Sequence, residues 1–366
     1  MKTLALTTMA ILATGLLLAQ PTPEWSSGIS TNFSMYFYDN PKIKFDNAGD
    51  LVVVGNINNG SNEKDIVVIK YSPSGTIIWQ QTFNSIHNKD DEVIDFTTDT
   101  QKNIILTGKS AVDSVNTNLI TVKYNATGNF KWVTSFAGNT GRENIGNSIA
   151  VDQSGNSYIT GSTSIDTLGH QKMLVTKIDS MGNTRWTYFY KTDTLAVYEG
   201  KKIKNFGNEI RILGTYVSLA TYINKFIVLK LDTSGTVLFS NERLLNRPAS
   251  CFYLDNAGNS YLGFGYLERF KIMKVDSSGT VAWYDSIPTN LPSSTTGDEV
   301  RAIITDSLQN VYITGRHYGE DYGGPTYTNA DMLTAKYSAS GHKLWSKRYE
   351  YLSSQSTGRT LYLHFT

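Results

Sequence analysis

The chain has 366 residues, with 33 basic and 32 acidic side chains and a formal net charge of +1. That balance excludes a dedicated nucleic-acid binder, which needs a basic excess to neutralise phosphates. The single cysteine, Cys251, excludes an intrachain disulfide framework, and 22 tyrosines and 30 glycines with only 8 prolines favour strands and turns over disorder.

The first element is an export signal. Lys2 precedes an apolar run from Leu4 to Ala19, which is short for a membrane span of about 20 residues and is followed by no stop-transfer charges. Cleavage is expected after Ala19, so residues 1–19 are set apart from the fold and the mature chain is read as extracellular or displayed on the cell surface. No other stretch is apolar enough to cross a membrane. Trp25, within PEWSSGIS, then reads as part of a lone strand over residues 23–30.

From there two phrases alternate down the chain. The first is a turn phrase, DNAGDLVVVG at Asp46, DTQKNIILTG at Asp99 and DQSGNSYITG at Asp152. It blurs to NFGNEIRILG at Asn205 and DNAGNSYLGF at Asp255, and recovers as DSLQNVYITG at Asp306. The second opens on lysine and ends on an aromatic: KYSPSGTIIW at Lys70, KYNATGNFKW at Lys123, KIDSMGNTRW at Lys177, KLDTSGTVLF at Lys230, KVDSSGTVAW at Lys274 and KYSASGHKLW at Lys336. The steps between those lysines are 53, 54, 53, 44 and 62 residues. Glycine tolerates positive φ, and Asp, Asn and Ser bond the turn backbone, so each phrase predicts a hairpin. Between them lie strand-length β-branched runs such as DIVVIKY and NIILTG. Their near-continuous apolar character predicts burial on both faces.

One period therefore holds four strands: A before the Asp turn, B after it, C ending near the lysine, and D carrying the aromatic. Four antiparallel strands per repeat make the blade of a β-propeller, with the tryptophan wedged between diverging blades. Blades are expected at about 41–84, 92–137, 144–191, 199–243, 250–288 and 298–350, with a last lone strand at 358–366. The pattern D-x-x-G-N-x-Y-x-T-G followed by K-x-D-x-x-G-x-x-x-W resembles the SBBP repeat, named for a seven-bladed β-propeller and common in secreted bacterial proteins. DQSGNSYITG with KIDSMGNTRW carries the resemblance most fully, and Phe239 and Phe264 depart from it. A looser similarity extends to quinoprotein-type propellers. The resemblance implies seven blades, so six repeats plus two lone strands read as a truncated or imperfectly closed member. A six-bladed ring with two dangling strands is the alternative.

In an up-and-down blade the A–B and C–D turns share one face, and the B–C and D–A loops share the other. Variable loops on rigid scaffolds carry function. The longest B–C loop, RHYGEDYGGPTYTNAD, offers Arg316, His317, Tyr318, Glu320, Asp321, Tyr322 and Tyr327 as a ligand site. Flat aromatics beside carboxylates suit a sugar or a peptide. The carboxylates that open the A strands, Asp91, Glu92, Glu143, Glu199, Asp298 and Glu299, are candidates to ring the channel mouth around a cation. No cofactor is expected otherwise: the five histidines share no metal spacing, and there is no GxSxG, HExxH or phosphate-binding loop. Asp-Ser-aliphatic triplets such as Asp113-Ser114-Val115 resemble O-glycosylation sites of some secreted bacterial proteins. Cys251, in an apolar strand, is expected to be buried. The overall reading is a monomeric, non-enzymatic extracellular module for a protein or glycan ligand. The alternative is a propeller enzyme or cofactor binder of hydrolase, lyase or quinoprotein type.

Overall fold

The computed structural model describes residues 41–58, 63–138, 142–168, 170–190, 196–245, 247–265, 270–287, 298–317 and 331–349. Every regular element among them is a strand. The first repeat forms β1 (Lys42–Phe45), β2 (Leu51–Asn58), β3 (Lys64–Tyr71) and β4 (Ile77–Phe83). The second forms β5 (Asp91–Thr98), β6 (Ile104–Ala111), β7 (Thr117–Tyr124) and β8 (Phe130–Phe136). The third comprises β9 (Asn144–Val151), β10 (Ser157–Ser164), β11 (Gln171–Ile178) and β12 (Thr184–Tyr190). The fourth comprises β13 (Ala196–Phe206), β14 (Glu209–Ser218), β15 (Asn224–Asp232) and β16 (Val237–Leu245). Then come β17 (Ala249–Leu254), β18 (Ser260–Phe264), β19 (Phe270–Val275) and β20 (Val281–Ile287). The last set is β21 (Glu299–Thr305), β22 (Val311–His317), β23 (Asp331–Tyr337) and β24 (Lys343–Tyr349). Each set is an antiparallel meander in chain order. The strands divide into two compact units at Arg243/Leu244, four repeats in the first and two in the second. One departure from separate blades lies in the first unit. β13 starts early, at Ala196, and Val197 makes a parallel pair with Gln171, joining the third and fourth sheets.

The turn phrase has a local chemical cause. Asp152 Oδ1 accepts the backbone N–H groups of Ser154 and Asn156, both at 2.9 Å. Its other oxygen accepts the Asn156 amide at 2.8 Å and the Tyr158 hydroxyl at 3.0 Å. Asp255 and Asp306 repeat the same four bonds with Asn259 and Tyr261, and with Asn310 and Tyr312. The D-x-x-G-N-x-Y pattern is thus one carboxylate saturated by its own hairpin. In the first two repeats Val52 and Ile105 stand where that tyrosine would be, and the phrase lysine takes over. Lys70 Nζ lies 2.7 Å from Asp46 and 3.1 Å from Asp50, and Lys123 Nζ lies 3.1 Å from Asp99. Where tyrosine is present, as with Tyr158 and Tyr261, the lysine instead lies over its ring and reaches the next repeat, Lys177 to the Thr233 carbonyl and Lys274 to that of Ala339.

The glycine near the end of the B strand has a steric cause. The A strand bulges opposite it, between Val93 and Asp95 in the second repeat. A Cβ on Gly108 would stand 1.9 Å from the Glu92 carbonyl oxygen, and one on Gly161 1.8 Å from that of Ile145. B and C strands are buried on both faces, as in β2 and β10. Ile66, Val68, Val93, Phe96, Ile104 and Leu106 belong to one apolar cluster drawn from the first two sheets, each fully buried side chain contributing about 1.5–3 kcal/mol.

Four of the six phrase aromatics, all tryptophans, cap the following repeat. Trp79, Trp132 and Trp186 lie against Gly128, Gly182 and Gly235 of the next C–D turn, and in the second unit Trp283 lies against Gly341. Their indole N–H groups donate to the carbonyls of Ala126, Ser180, Thr233 and Ala339 at 3.0–3.2 Å. Each of these tryptophans also packs on the apolar cluster that its own sheet shares with the next, as expected of a wedge, so it both fills that space and caps the neighbouring turn. The A strands of the first unit are tied in succession: Lys44 Nζ reaches Asp95 at 3.0 Å, the Ser148 hydroxyl donates to Asp95 at 2.9 Å, and the Ile203 N–H donates to Ser148 at 3.4 Å. Cys251 is partly exposed rather than buried. It sits at the bulge of β17, packed on the edge of the second unit's core.

Candidate functional site

Because every sheet is a meander, the saturated A–B and C–D turns of a repeat lie at one end and its B–C and D–A loops at the other. In the first unit the loop end carries a cleft of about 420 Å³, lined by Glu63, Lys89, Asp90, Glu92, Lys109, Ala111, Asp113, Ser114, Val115 and Thr117. Its walls come from both loops of the first repeat and the B–C hairpin of the second. Four carboxylates face two ammonium groups there. Lys89 lies 2.8 Å from Glu63, which raises its pKa. Lys64, at the rim, lies 2.7 Å from Glu92 and donates its backbone N–H to Asp90 at 2.9 Å. Asp113 accepts the N–H groups of Val115 and Asn116, both at 2.8 Å, and the Asn116 amide at 2.6 Å. Those backbone and amide bonds lower its pKa, so it holds its charge while shaping the loop.

Within neither unit do three or more of the carboxylates that open the A strands come together to hold a cation, among the described residues. Glu92 and Glu143 both approach Lys109, at 3.8 and 3.4 Å, and that lysine supplies the positive charge between them. Glu199 pairs with Lys201 at 2.6 Å and Glu299 with Arg301 at 3.0 Å, each two residues along its own strand. Asp91 and Asp298 are fully buried. Asp91 accepts the Ser85 N–H at 2.6 Å, which anchors the D–A loop. Burial pushes its pKa up against the bonds from Ser110 and Ser85. Among the described residues no group of three or more His, Cys, Asp or Glu side chains is placed to hold a metal. Of the long B–C loop, Arg316 and His317 end β22, with Arg316 paired in register with Glu299 and Met332. Tyr318, Glu320, Asp321, Tyr322 and Tyr327 lie outside the described residues.

Apart from Glu92 and the triplet Asp113-Ser114-Val115, none of the cleft residues stands out in the sequence. The usable signal was that the B–C and D–A segments of the first two repeats disagree while the turns agree. The triplet Asp113-Ser114-Val115 has a structural role of its own, a carboxylate-bonded turn that points its aliphatic residue outward. The B–C loop of the third repeat does the same: Asp166 accepts the Leu168 N–H at 2.9 Å and is clamped by the His170 ring.

Residues 131–168 match the family described as SBBP, Beta-propeller repeat. No curated protein matches the sequence. Among solved structures, a polysaccharide lyase, an ulvan lyase bound to a GlcA–Rha3S saccharide, is similar with a TM-score of 0.52 and 10% identity, over 84% of this chain and 82% of that one. A protein of unknown function from Dyadobacter fermentans DSM 18053 gives 0.48 and 8%, over 81% and 93% of the two chains. A prolyl endopeptidase gives 0.48 and 12%, over 86% of this chain but only 42% of that one, so this chain spans less than half of that enzyme. At such identities the likeness concerns the fold alone. No helix long and apolar enough to cross a membrane occurs among the described residues. The match identifies residues 131–168 as an SBBP β-propeller repeat, and the repeated turn phrase, the saturated Asp hairpins and the four-stranded sheets accord with it.

Proposed function

We propose that the chain is an exported, non-catalytic binding module whose ligands dock on the end of the repeats that carries the B–C and D–A loops. One contrast supports this reading. At the turn end the Asp carboxylates, lysines and tryptophans bond their own hairpin or the next one. At the loop end a charged cleft remains open between the first two repeats. A catalytic reading finds less support: the A-strand carboxylates bond lysine, arginine or backbone groups, and the two that approach each other, Glu92 and Glu143, have Lys109 between them. Glycan and peptide arrays probed with the mature chain test the proposal. A loop-end variant, Leu168→Ser with Tyr222→Ser, is expected to lose binding that a turn-end variant, Met181→Ser, keeps. The reverse pattern, or turnover of a bound glycan or peptide, overturns it.

The same proposal carries two finer points. Export is expected to release a chain beginning at Gln20, read by N-terminal sequencing of protein recovered from the medium; an intact Met1 there refutes it. The arrangement proposed is of the seven-bladed type, with six complete blades and partial strands of a seventh, following the resemblance of the repeat. Class averages of the secreted protein viewed down the ring axis test it, and a closed six-bladed ring would refute it.

A further inference from the structure

The loop end of the first unit carries more than the cleft. In three successive repeats the B–C hairpin is bonded internally and leaves an apolar residue at its tip. Asp113 holds the tip with Val115, Asp166 the tip with Leu168, and Ser218, through the Thr221 N–H at 3.1 Å, the tip with Tyr222. The D–A loop of the first repeat adds Ile86. Relative exposures are 56% for Val115, 76% for Leu168, 78% for Tyr222 and 91% for Ile86. Tyr222 holds a left-handed φ of 56°, rare for a residue with a side chain. Because the polar groups of these hairpins bond their own loops, the tips are preformed, and burying them against a partner costs little ordering entropy. Val115 belongs to both features, since it also lines the cleft.

We infer that this surface binds a protein segment carrying lysine or arginine side chains among apolar ones, its cations entering the cleft and its apolar side chains covering the tips. The inference rests on the reading of the loop end as the binding face. Charge decides the class of partner: four lining carboxylates against two lining ammonium groups and Lys64 at the rim leave the cleft net negative, which attracts a cationic segment and repels phosphates and anionic lipid surfaces. The exposed tips ask for apolar contact that a neutral, fully hydroxylated glycan supplies poorly. Exposed apolar residues also occur on the D strands, Ile78 and Phe130 among them, but no cavity or charge pattern there says what would cover them.

Isothermal titration of the full mature chain tests this, using a short soluble peptide of lysine, leucine and glycine and its counterpart with glutamate for lysine. The lysine peptide is expected to bind, with an affinity that falls as salt is raised, and the glutamate peptide is not. Glu63→Gln combined with Glu92→Gln is expected to weaken the lysine peptide about tenfold or more. Leu168→Ser combined with Tyr222→Ser, which alters exposed tips only, should weaken it comparably, and Met181→Ser at the turn end should leave it unchanged. Equal binding of the two peptides, no binding of either, or indifference to both double variants overturns the inference. If array binding of a glycan is nevertheless lost in the loop-end variant, the binding face stands and only its occupant is wrong. If Met181→Ser alone abolishes binding, both readings fall.

Discussion

Gly182→Ala is a sharp test of how neighbouring repeats hold together. Gly182 has φ 94°, and a Cβ there would lie 2.8 Å from Cγ and 2.9 Å from Cδ2 of Trp132 on the preceding repeat. Two costs add. A side chain in left-handed geometry costs roughly 1–2 kcal/mol, and overpacking against a fixed ring costs about 1–3 kcal/mol more. Gly207 separates them: its φ is 74°, with nothing within 4 Å of its Cβ position. Gly207→Ala should therefore cost only the backbone part, roughly 1–2 kcal/mol, and Gly182→Ala about 2–5 kcal/mol. Trp132→Ala removes the ring and its bond to the Ser180 carbonyl. In that background the cost of Gly182→Ala should fall to that of Gly207→Ala, a coupling of about 1–3 kcal/mol between residues 50 apart in sequence. Equilibrium urea unfolding followed by circular dichroism measures all four variants. Equal costs at Gly182 and Gly207, or strictly additive effects of Gly182→Ala and Trp132→Ala, would refute the capping argument.

Three further predictions concern the repeat chemistry. Lys70→Met leaves the buried Asp46 carboxylate without its cation and should cost about 3–5 kcal/mol. Tyr158→Phe should cost only about 1 kcal/mol, because Asp152 keeps two backbone bonds and Asn156; similar losses in urea midpoint for the two would contradict the exchange of lysine for tyrosine. Burial works to raise the pKa of Asp95, but Lys44 and Lys202, with the Ser148 bond, more than offset it and hold it at about 2. This depressed carboxylate stabilises the fold above its unfolded pKa of about 4, and the stabilisation is lost as pH falls toward 2. Its size is on the order of 2 kcal/mol, less at high salt because Lys44 is half exposed. Asp95→Asn should flatten the stability profile in that window, and an unchanged slope counts against the link. Gly161→Ala drives a methyl into the Ile145 carbonyl at 1.8 Å and should cost at least about 3 kcal/mol, since the obstacle is backbone. Wild-type-like melting would show that the bulge yields.

What could be read from the sequence was whatever acts over a few residues. Asp152, Gly155 and Asn156 make their turn by bonds that span four positions at most. The hairpins, the four strands of each repeat and the ends to which turns and loops belong were therefore legible, and the doubly buried B and C strands showed in their unbroken apolar runs. The candidate site was legible only as a direction, toward the segments where repeats disagree. The carboxylates expected at the channel mouth were legible as strand-opening residues but not as ion pairs, because Glu199 and Glu299 find a cation two residues along their own strand while Glu92 and Glu143 meet Lys109 of another. The sequence does not say which neighbour each side chain will find.

Only the tertiary structure decided that. Trp132 caps the turn of the next repeat as well as packing between the two sheets, and Lys177 reaches across while Lys123 turns inward to Asp99. Glu63 and Lys89 come from two loops, Glu92 and Lys109 from two strands, and together they line one cleft. The physical reason is range. Turn chemistry closes within the hairpin that encodes it, whereas caps, ion pairs and clefts are made between chain segments some 20 to 50 residues apart, whose meeting depends on how sheets stack.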